Sequence, residues 1–123
     1  MYDISLPQCT MEVATPPEFK GHDGIWSPED LFVASANICL MTTFLAVAER
    51  AGLPFISYES SAEGRLELVD GKFQFTAITL KPVITLPAGG DRAKAKELIE
   101  KAEANCLISN SMKAHVTLSP TIQ

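Results

Sequence analysis

Apolar and polar residues alternate most regularly between Phe55 and Leu68. Ile56, Tyr58, Ser60, Ala62, Gly64, Leu66 and Leu68 fall on one side, and Ser57, Glu59, Ser61, Glu63, Arg65 and Glu67 on the other. A period of two with one charged side predicts a strand with one solvated face. Asp70-Gly71 follows, a dipeptide suited to the left-handed backbone of a tight hairpin turn. Phe73–Leu86 then reads as the returning strand, with Phe73, Phe75, Ile78, Leu80, Val83 and Ile84 as its apolar set. That set changes parity between Phe75 and Ile78, which predicts a β-bulge.

Two helices flank the hairpin. Ser27 can cap the first, Pro28 suits its first turn, and Glu29 and Asp30 complement the positive end of the helix dipole. The helix is expected from Leu31 to about Arg50, with Gly52 as its stop and Pro54 beyond. Asp91 caps a second helix that reaches about Ala104, with Ala95, Leu98, Ile99 and Ala102 on one face. Residues 105–112 read as a turn or short helix, and Lys113–Ile122 as a last strand. Residues 8–14 alternate weakly and could form a strand that Pro16-Pro17 ends. Residues 18–26 read as loop. Strand, helix, hairpin, helix, strand is the order of an α+β fold with an antiparallel sheet. No repeat, linker or low-complexity tract divides the chain, so residues 1–123 are expected to form a single domain.

The middle of the first helix is apolar or small on nearly every side, which predicts a helix buried on most faces. A chain of 123 residues can hardly enclose such a helix alone, so a homodimer with this helix at its centre is expected. Apolar residues make up 46% and charged residues 20%, a globular composition with no mark of disorder. A net charge of −5, with arginine only at 50, 65 and 92, argues against nucleic acid as a partner. Leu31–Val47 is interrupted by Ser35, Asn37, Thr42 and Thr43, so no membrane span is expected. Met1–Pro7 has neither the basic start nor the apolar stretch of a secretory signal, and a cytoplasmic location is expected.

The cysteines are the groups with reactive potential. Cys9, Cys39 and Cys106 cannot form a paired disulfide framework. A buried free cysteine commonly behaves as a small hydrophobe, and that is the plain reading of each one alone. Cys39, in the middle of the first helix, and Cys106, at the end of the second, could also form a redox pair of a nucleophilic thiolate and a resolving thiol. Cys9 reads as structural. Structural zinc takes four ligands in close pairs, whereas these cysteines are spaced by 30 and 67 residues with His22 and His115 far from both. No metal is expected. No cofactor is expected either, since the chain has no phosphate loop or dinucleotide fingerprint and Gly89-Gly90 is too short for one. A thiol is only a few per cent ionised at neutral pH, burial raises its pKa, and a mid-helix position gains little from the dipole. Cys39 would therefore need a nearby cation, and Lys20 and His22 are the nearest in chain order.

Ser27-Pro-Glu29-Asp-Leu-Phe-Val-Ala-Ser-Ala-Asn-Ile-Cys39-Leu-Met-Thr resembles the first-cysteine helix of the OsmC/Ohr family. The shared pattern is Pro-Glu at the helix start, an apolar-small run, and a cysteine ten residues after the glutamate. Gly52-Leu-Pro, the acidic alternating strand and a second cysteine near the end of a second helix extend the resemblance over about residues 12–123. It implies a small intertwined α+β homodimer. It also implies reduction of organic hydroperoxides in oxidative-stress defence, with Cys39 as the peroxidatic thiol, Cys106 as the resolving thiol and Glu29 as an orienting carboxylate. A dithiol, of lipoyl type in the Ohr branch, would return the disulfide to thiols. Active members carry an arginine in an N-terminal hairpin, whereas the first arginine here is Arg50, and their proline after the second cysteine is Leu107 here.

Along a straight helix ten residues rise about 15 Å. Glu29 therefore cannot reach the Cys39 of its own chain, and a carboxylate role would be played toward the Cys39 of the other subunit. The simpler reading is a first-turn acid that favours the helix N-terminus. Two further functions compete with peroxide reduction. One is a non-catalytic dimer of the same fold that binds an apolar ligand between its subunits. The other is a thiol redox sensor.

Overall fold

The computed structural model describes residues 2–8 and 10–123, so Cys9 lies outside the described residues. The chain divides into a small N-terminal unit that ends at Leu31 and a larger unit from Phe32 to Gln123. In the N-terminal unit the expected strand over residues 8–14 reduces to one bridge between Val13 and Trp26, closed by Ala14 N–H donating to the Trp26 carbonyl at 3.0 Å. The weak alternation there has no partner strand to organise it. A short 3-10 turn at Pro17–Phe19 follows and ends at Lys20, which is left-handed at φ 64°.

Helix α1 spans Pro28–Ala51. Ser27 and Asp30 fix its start reciprocally. Ser27 Oγ accepts from the Asp30 N–H at 3.0 Å, and Asp30 Oδ2 accepts from the Ser27 N–H at 3.0 Å and from its hydroxyl at 2.9 Å. The capping acid is thus Asp30 rather than Glu29. At the other end Gly52 donates to the Glu49 carbonyl and Leu53 to the Ala48 carbonyl, the paired bonds of a Schellman stop.

In the larger unit, strands β1 (Ser57–Val69) and β2 (Lys72–Thr85) form the expected antiparallel hairpin. Asp70 and Gly71 turn it with φ of 52° and 80°, the double positive that makes glycine nearly obligatory at the second position. The register shifts where Arg65 faces Ala77 and Leu66 faces Phe75. Thr76 is therefore the extra residue of the expected bulge, and its hydroxyl is held by Glu67. A side chain at Gly64 would meet Phe75 and Val33 within 2.7 Å. This missing Cβ lets α1 settle against the sheet, where Phe32 stacks on Phe75 with centroids 4.9 Å apart.

The chain then forms helix α2 (Arg92–Ala104), helix α3 (Leu107–Asn110) and strands β3 (His115–Leu118) and β4 (Thr121–Ile122). Asp91 caps α2 by accepting from the Lys94 N–H at 3.0 Å, and the buried face is Ala95, Leu98, Ile99 and Ala102 as expected. The α+β class stands, but the sheet is mixed rather than antiparallel. Both β3 and β4 run parallel to β2, which lies between them and β1. Chain order alone does not set the direction of the last strand. The segment from Leu86 to Ala114 carries two helices and is long enough for a crossover, which returns the chain parallel.

The expected single strand over Lys113–Ile122 is also split. Ser119 N–H donates to the Leu80 carbonyl and Gln123 N–H to the Ile84 carbonyl, so the even-numbered main-chain groups of β2 face this edge. Pro82, lying between them and lacking a donor, meets the break at Pro120.

Ala36, Leu40, Phe44 and Ala48 form the single fully buried stripe of α1 and share a core with Ile78, Leu80 and Ile84 of β2 and the apolar face of α2. The helix is less enclosed than its composition predicted, since Phe32, Ile38 and Leu45 remain exposed in this chain. By length and hydropathy alone α1 would also suffice to cross a membrane, contrary to the expectation for Leu31–Val47. Its buried stripe and its two caps read instead as those of a core helix.

Phe44 is fully buried between Phe55 and Tyr58, with centroids 5.6 and 5.5 Å away. Phe44→Ala is expected to destabilise the fold by about 3–5 kcal/mol in urea unfolding, whereas Thr42→Ala, on the exposed side of α1, should change it by about 0.5 kcal/mol or less.

Candidate functional site

The site is built where the fourth turn of α1 meets the start of α3. Cys39 is flanked along the helix by the buried anchors Ala36 and Leu40, which fix its azimuth and leave its sulfur half-buried at the edge of the core. One turn on, Thr43 Oγ1 lies 4.0 Å from Cys39 Sγ, at the limit of a sulfur hydrogen bond.

Cys106 arrives from the other side. Helix α2 stops at Asn105, whose side-chain amide donates to the Lys101 carbonyl at 2.9 Å. The next residue, Cys106, is extended at φ −71°, ψ 112° and opens α3. Its thiol is fully buried. The first N–H groups of any helix have no partner within it, and here those of Leu107 and Ile108 act on Cys39. The fold thus brings together Cys39 and Cys106, which lie far apart in sequence, with each thiol acting on the other.

The pair is electrostatically unequal. Burial pushes the Cys39 thiol up, but the Cys106 side chain, the Ile108 amide, Thr43 and the Leu107 amide together outweigh burial and hold Cys39 below its ordinary value. Cys106 moves the opposite way: burial pushes it up and the neighbouring Cys39 adds to the rise, while Ser109 opposes it in part. Two interacting thiols titrate as a unit, and in this unit Cys39 is the thiol that ionises more readily. Among the described residues the groups that lower Cys39 are hydrogen-bond donors, not a charged side chain. Lys20 and His22, the cations nearest in chain order, are exposed residues of the N-terminal unit.

Glu29 is not brought to this pair within α1, which runs unbroken from Pro28 to Ala51 and separates the two residues by about 15 Å of helix. Its Oε2 is buried with no hydrogen-bond partner among the described residues. The sequence reading missed Thr43 and the two α3 amides. Thr43 stands at i+4 from Cys39, a spacing that puts both on one face and was the available signal. Backbone donors leave no such trace.

A half-exposed thiolate beside a buried thiol can attack an electrophile and then be closed into a disulfide. Removing the Thr43 hydroxyl takes one hydrogen bond from the thiolate form. Thr43→Val is therefore expected to raise the pH of half-maximal Cys39 alkylation by iodoacetamide by about 0.5 to 1. Thr42→Val should leave that pH in place, because the Thr42 hydroxyl donates to the Cys39 carbonyl and not to its sulfur.

Comparison with known proteins identifies the family. Residues 21–121 match the family model described as OsmC-like protein. The chain is 33% identical over 100 residues to the Escherichia coli protein named peroxiredoxin OsmC, covering 81% of this chain and 68% of that one. An organic hydroperoxide resistance protein from Elizabethkingia anophelis superposes with a TM-score of 0.74 at 25% identity, over 92% of this chain and 79% of its own. The OsmC-like protein of Mycoplasma pneumoniae reaches a TM-score of 0.79 at 16% identity over 94% and 83%, a likeness of fold alone. With four fifths of its length matched by the family model, the chain belongs to the OsmC-like protein family.

Proposed function

We propose that this protein reduces organic hydroperoxides with Cys39 as the attacking thiolate and Cys106 as the resolving thiol. The observation that carries the reading is the unequal pair, a half-exposed Cys39 held low and a buried Cys106 held high. The Cys39 sulfur attacks the distal peroxide oxygen, the O–O bond breaks, and the products are a sulfenic acid and an alcohol. Cys106 then displaces the sulfenic hydroxyl as water and forms the disulfide. A dithiol of lipoyl type, in a reducing cytoplasmic setting, is the proposed source of electrons for the return to thiols. Ile38 and Leu107, both largely exposed next to the site in sequence, favour an organic peroxide over hydrogen peroxide. The names of the relatives, peroxiredoxin and organic hydroperoxide resistance protein, support the same class of substrate.

The reading includes a homodimer. Phe32, Ile38 and Leu45 leave an apolar side of α1 open in one chain, and a second copy of the same surface would cover it. The Glu29 carboxylate, buried and without a partner at Oε2, is then proposed to serve the Cys39 of that second copy.

Cys39→Ser is expected to abolish consumption of cumene hydroperoxide in the presence of dihydrolipoamide. Cys106→Ser should consume one equivalent per chain and then stall, because the sulfenic acid forms but cannot close. Equal residual turnover in both variants would reassign the roles, and no consumption by the unmodified protein would leave the ligand-binding or sensor reading. Sedimentation equilibrium at micromolar concentration is expected to give a dimer, and Ile38→Glu to shift it toward monomer. A folded wild-type monomer under those conditions removes the dimer from the reading.

A further inference from the structure

Three hydroxyls stand one helical turn from Cys39 along α1: Ser35 at i−4, Thr42 at i+3 and Thr43 at i+4. Two are committed to the helix backbone. Ser35 Oγ donates to the Phe32 carbonyl at 2.6 Å, and Thr42 Oγ1 donates to the Cys39 carbonyl at 3.1 Å. Such bonding back to the preceding turn is the usual fate of a hydroxyl within a helix. Thr43 departs from it. Among the described residues its hydroxyl meets the Cys39 sulfur, at 4.0 Å, and no carbonyl. That separation is the outer limit for a sulfur partner, so the hydroxyl is held beside the thiol without being used up by it. A hydroxyl has one proton to give and two lone pairs to offer, and most of this capacity stays open. Cys39 and Thr43 are both half-buried, at the edge of the core where the sulfur meets solvent.

We propose that Thr43 Oγ1 binds the hydroperoxide itself, accepting from its O–H and donating to the oxygen that leaves, which makes Thr43 a catalytic residue of the oxidising step. The inference rests on the hydroperoxide reading. Attack by a thiolate runs along the O–O bond, so the sulfur, the attacked oxygen and the leaving oxygen stand nearly in line. The attacked oxygen waits about 3–3.5 Å from the sulfur before reaction, and the leaving oxygen lies one bond farther out. For a peroxide that enters beside Thr43, a hydroxyl 4.0 Å from the sulfur and to the side of that line falls within hydrogen-bond reach of both oxygens, at about 2.7–3.2 Å. A hydroxyl bonded tightly to the sulfur would be spent on the thiolate, and one bonded to a carbonyl, as in Thr42, would face away.

In the step, the Cys39 thiolate forms a bond to the attacked oxygen and is oxidised to the sulfenic acid, whose hydroxyl keeps the proton of the peroxide. The O–O bond breaks with its electron pair on the leaving oxygen, so the peroxide is reduced. Water gives that oxygen the proton that makes it an alcohol and is left as hydroxide. Thr43 keeps its own proton throughout. It lends that proton as a hydrogen bond where negative charge develops, the placement at which a fixed donor lowers a barrier most. The same geometry selects which oxygen is attacked. The O–H end alone can donate to Thr43, so it is held next to the sulfur and the organic group points away from it.

Two electrophiles separate a contact with the peroxide from an effect on the thiolate. In a Cys9→Ser background without reductant, the protein is mixed with cumene hydroperoxide or with iodoacetamide. Loss of the Cys39 thiol is followed by acid quenching and peptide mass, from neutral pH up to the plateau at which Cys39 is fully ionised. Iodoacetamide meets the thiolate but brings no peroxide oxygens to Thr43. At the plateau, Thr43→Val is expected to react about 10- to 100-fold more slowly with cumene hydroperoxide, the loss of one hydrogen bond to a charged group. Its alkylation there should stay within about twofold of wild type, which also shows that the site is still folded. Thr43→Ser should regain most of the peroxide rate, and Thr42→Val should match wild type with both reagents. Oxidation of Thr43→Val within about twofold of wild type at the plateau would overturn the contact. An equal loss with both reagents would overturn it as well, since Thr43 would then act on the thiolate or on packing alone. If cumene hydroperoxide leaves wild-type Cys39 unoxidised while iodoacetamide alkylates it, the hydroperoxide reading itself falls and takes this contact with it.

Discussion

The seating of one stripe of α1 on β2 governs the rest of the molecule. Ala36, Leu40, Phe44 and Ala48 recur every four residues and face Ile78, Leu80 and Ile84. Two small residues at the ends of the stripe let the helix approach closely, and the two large ones between them fill the space. Gly64 serves the same approach at the bulged end of the hairpin. Because helical azimuth is set by the stripe, the position of Cys39 follows from it. A helix rotated by one residue would bury Cys39 fully or turn it out to solvent, and in either case it would miss the amides of α3.

The second thiol is placed by a helix ending rather than by a helix. Asn105 stops α2, Cys106 takes an extended conformation, and a new short helix opens with its free N–H groups turned toward α1. The pairing of sheet and crossover contributes at longer range. Strand β3 returns parallel to β2, so α2 and α3 lie over the sheet between them and bring Cys106, Ser109 and Glu103 to the face that carries Tyr58.

Much of this was legible in the residues. Ser27-Pro28 and Gly52 mark the ends of α1, Asp70-Gly71 marks the hairpin, the parity change marks the bulge at Thr76, and the apolar face of α2 is complete. The direction of the last strand was not legible, because nothing in its sequence distinguishes a parallel from an antiparallel neighbour. Its interruption needed both Pro82 and Pro120 to be placed opposite each other, which only the register shows. For the site, a possible pairing of Cys39 with Cys106 could be read from their places on the two helices, and the division of roles between them came from the family resemblance. The donors that hold Cys39 low are largely main-chain groups, which every residue has and no pattern reveals.

The use of main-chain donors at Cys39 changes how its reactivity responds to surroundings. An arginine or lysine beside a thiolate acts through a full charge, which dissolved salt screens within about 8 Å at physiological ionic strength. Amide dipoles at the head of α3 carry no net charge to screen and no proton to lose. A thiolate supported in this way depends less on the ionic strength of the surrounding solution than one that leans on an exposed cation.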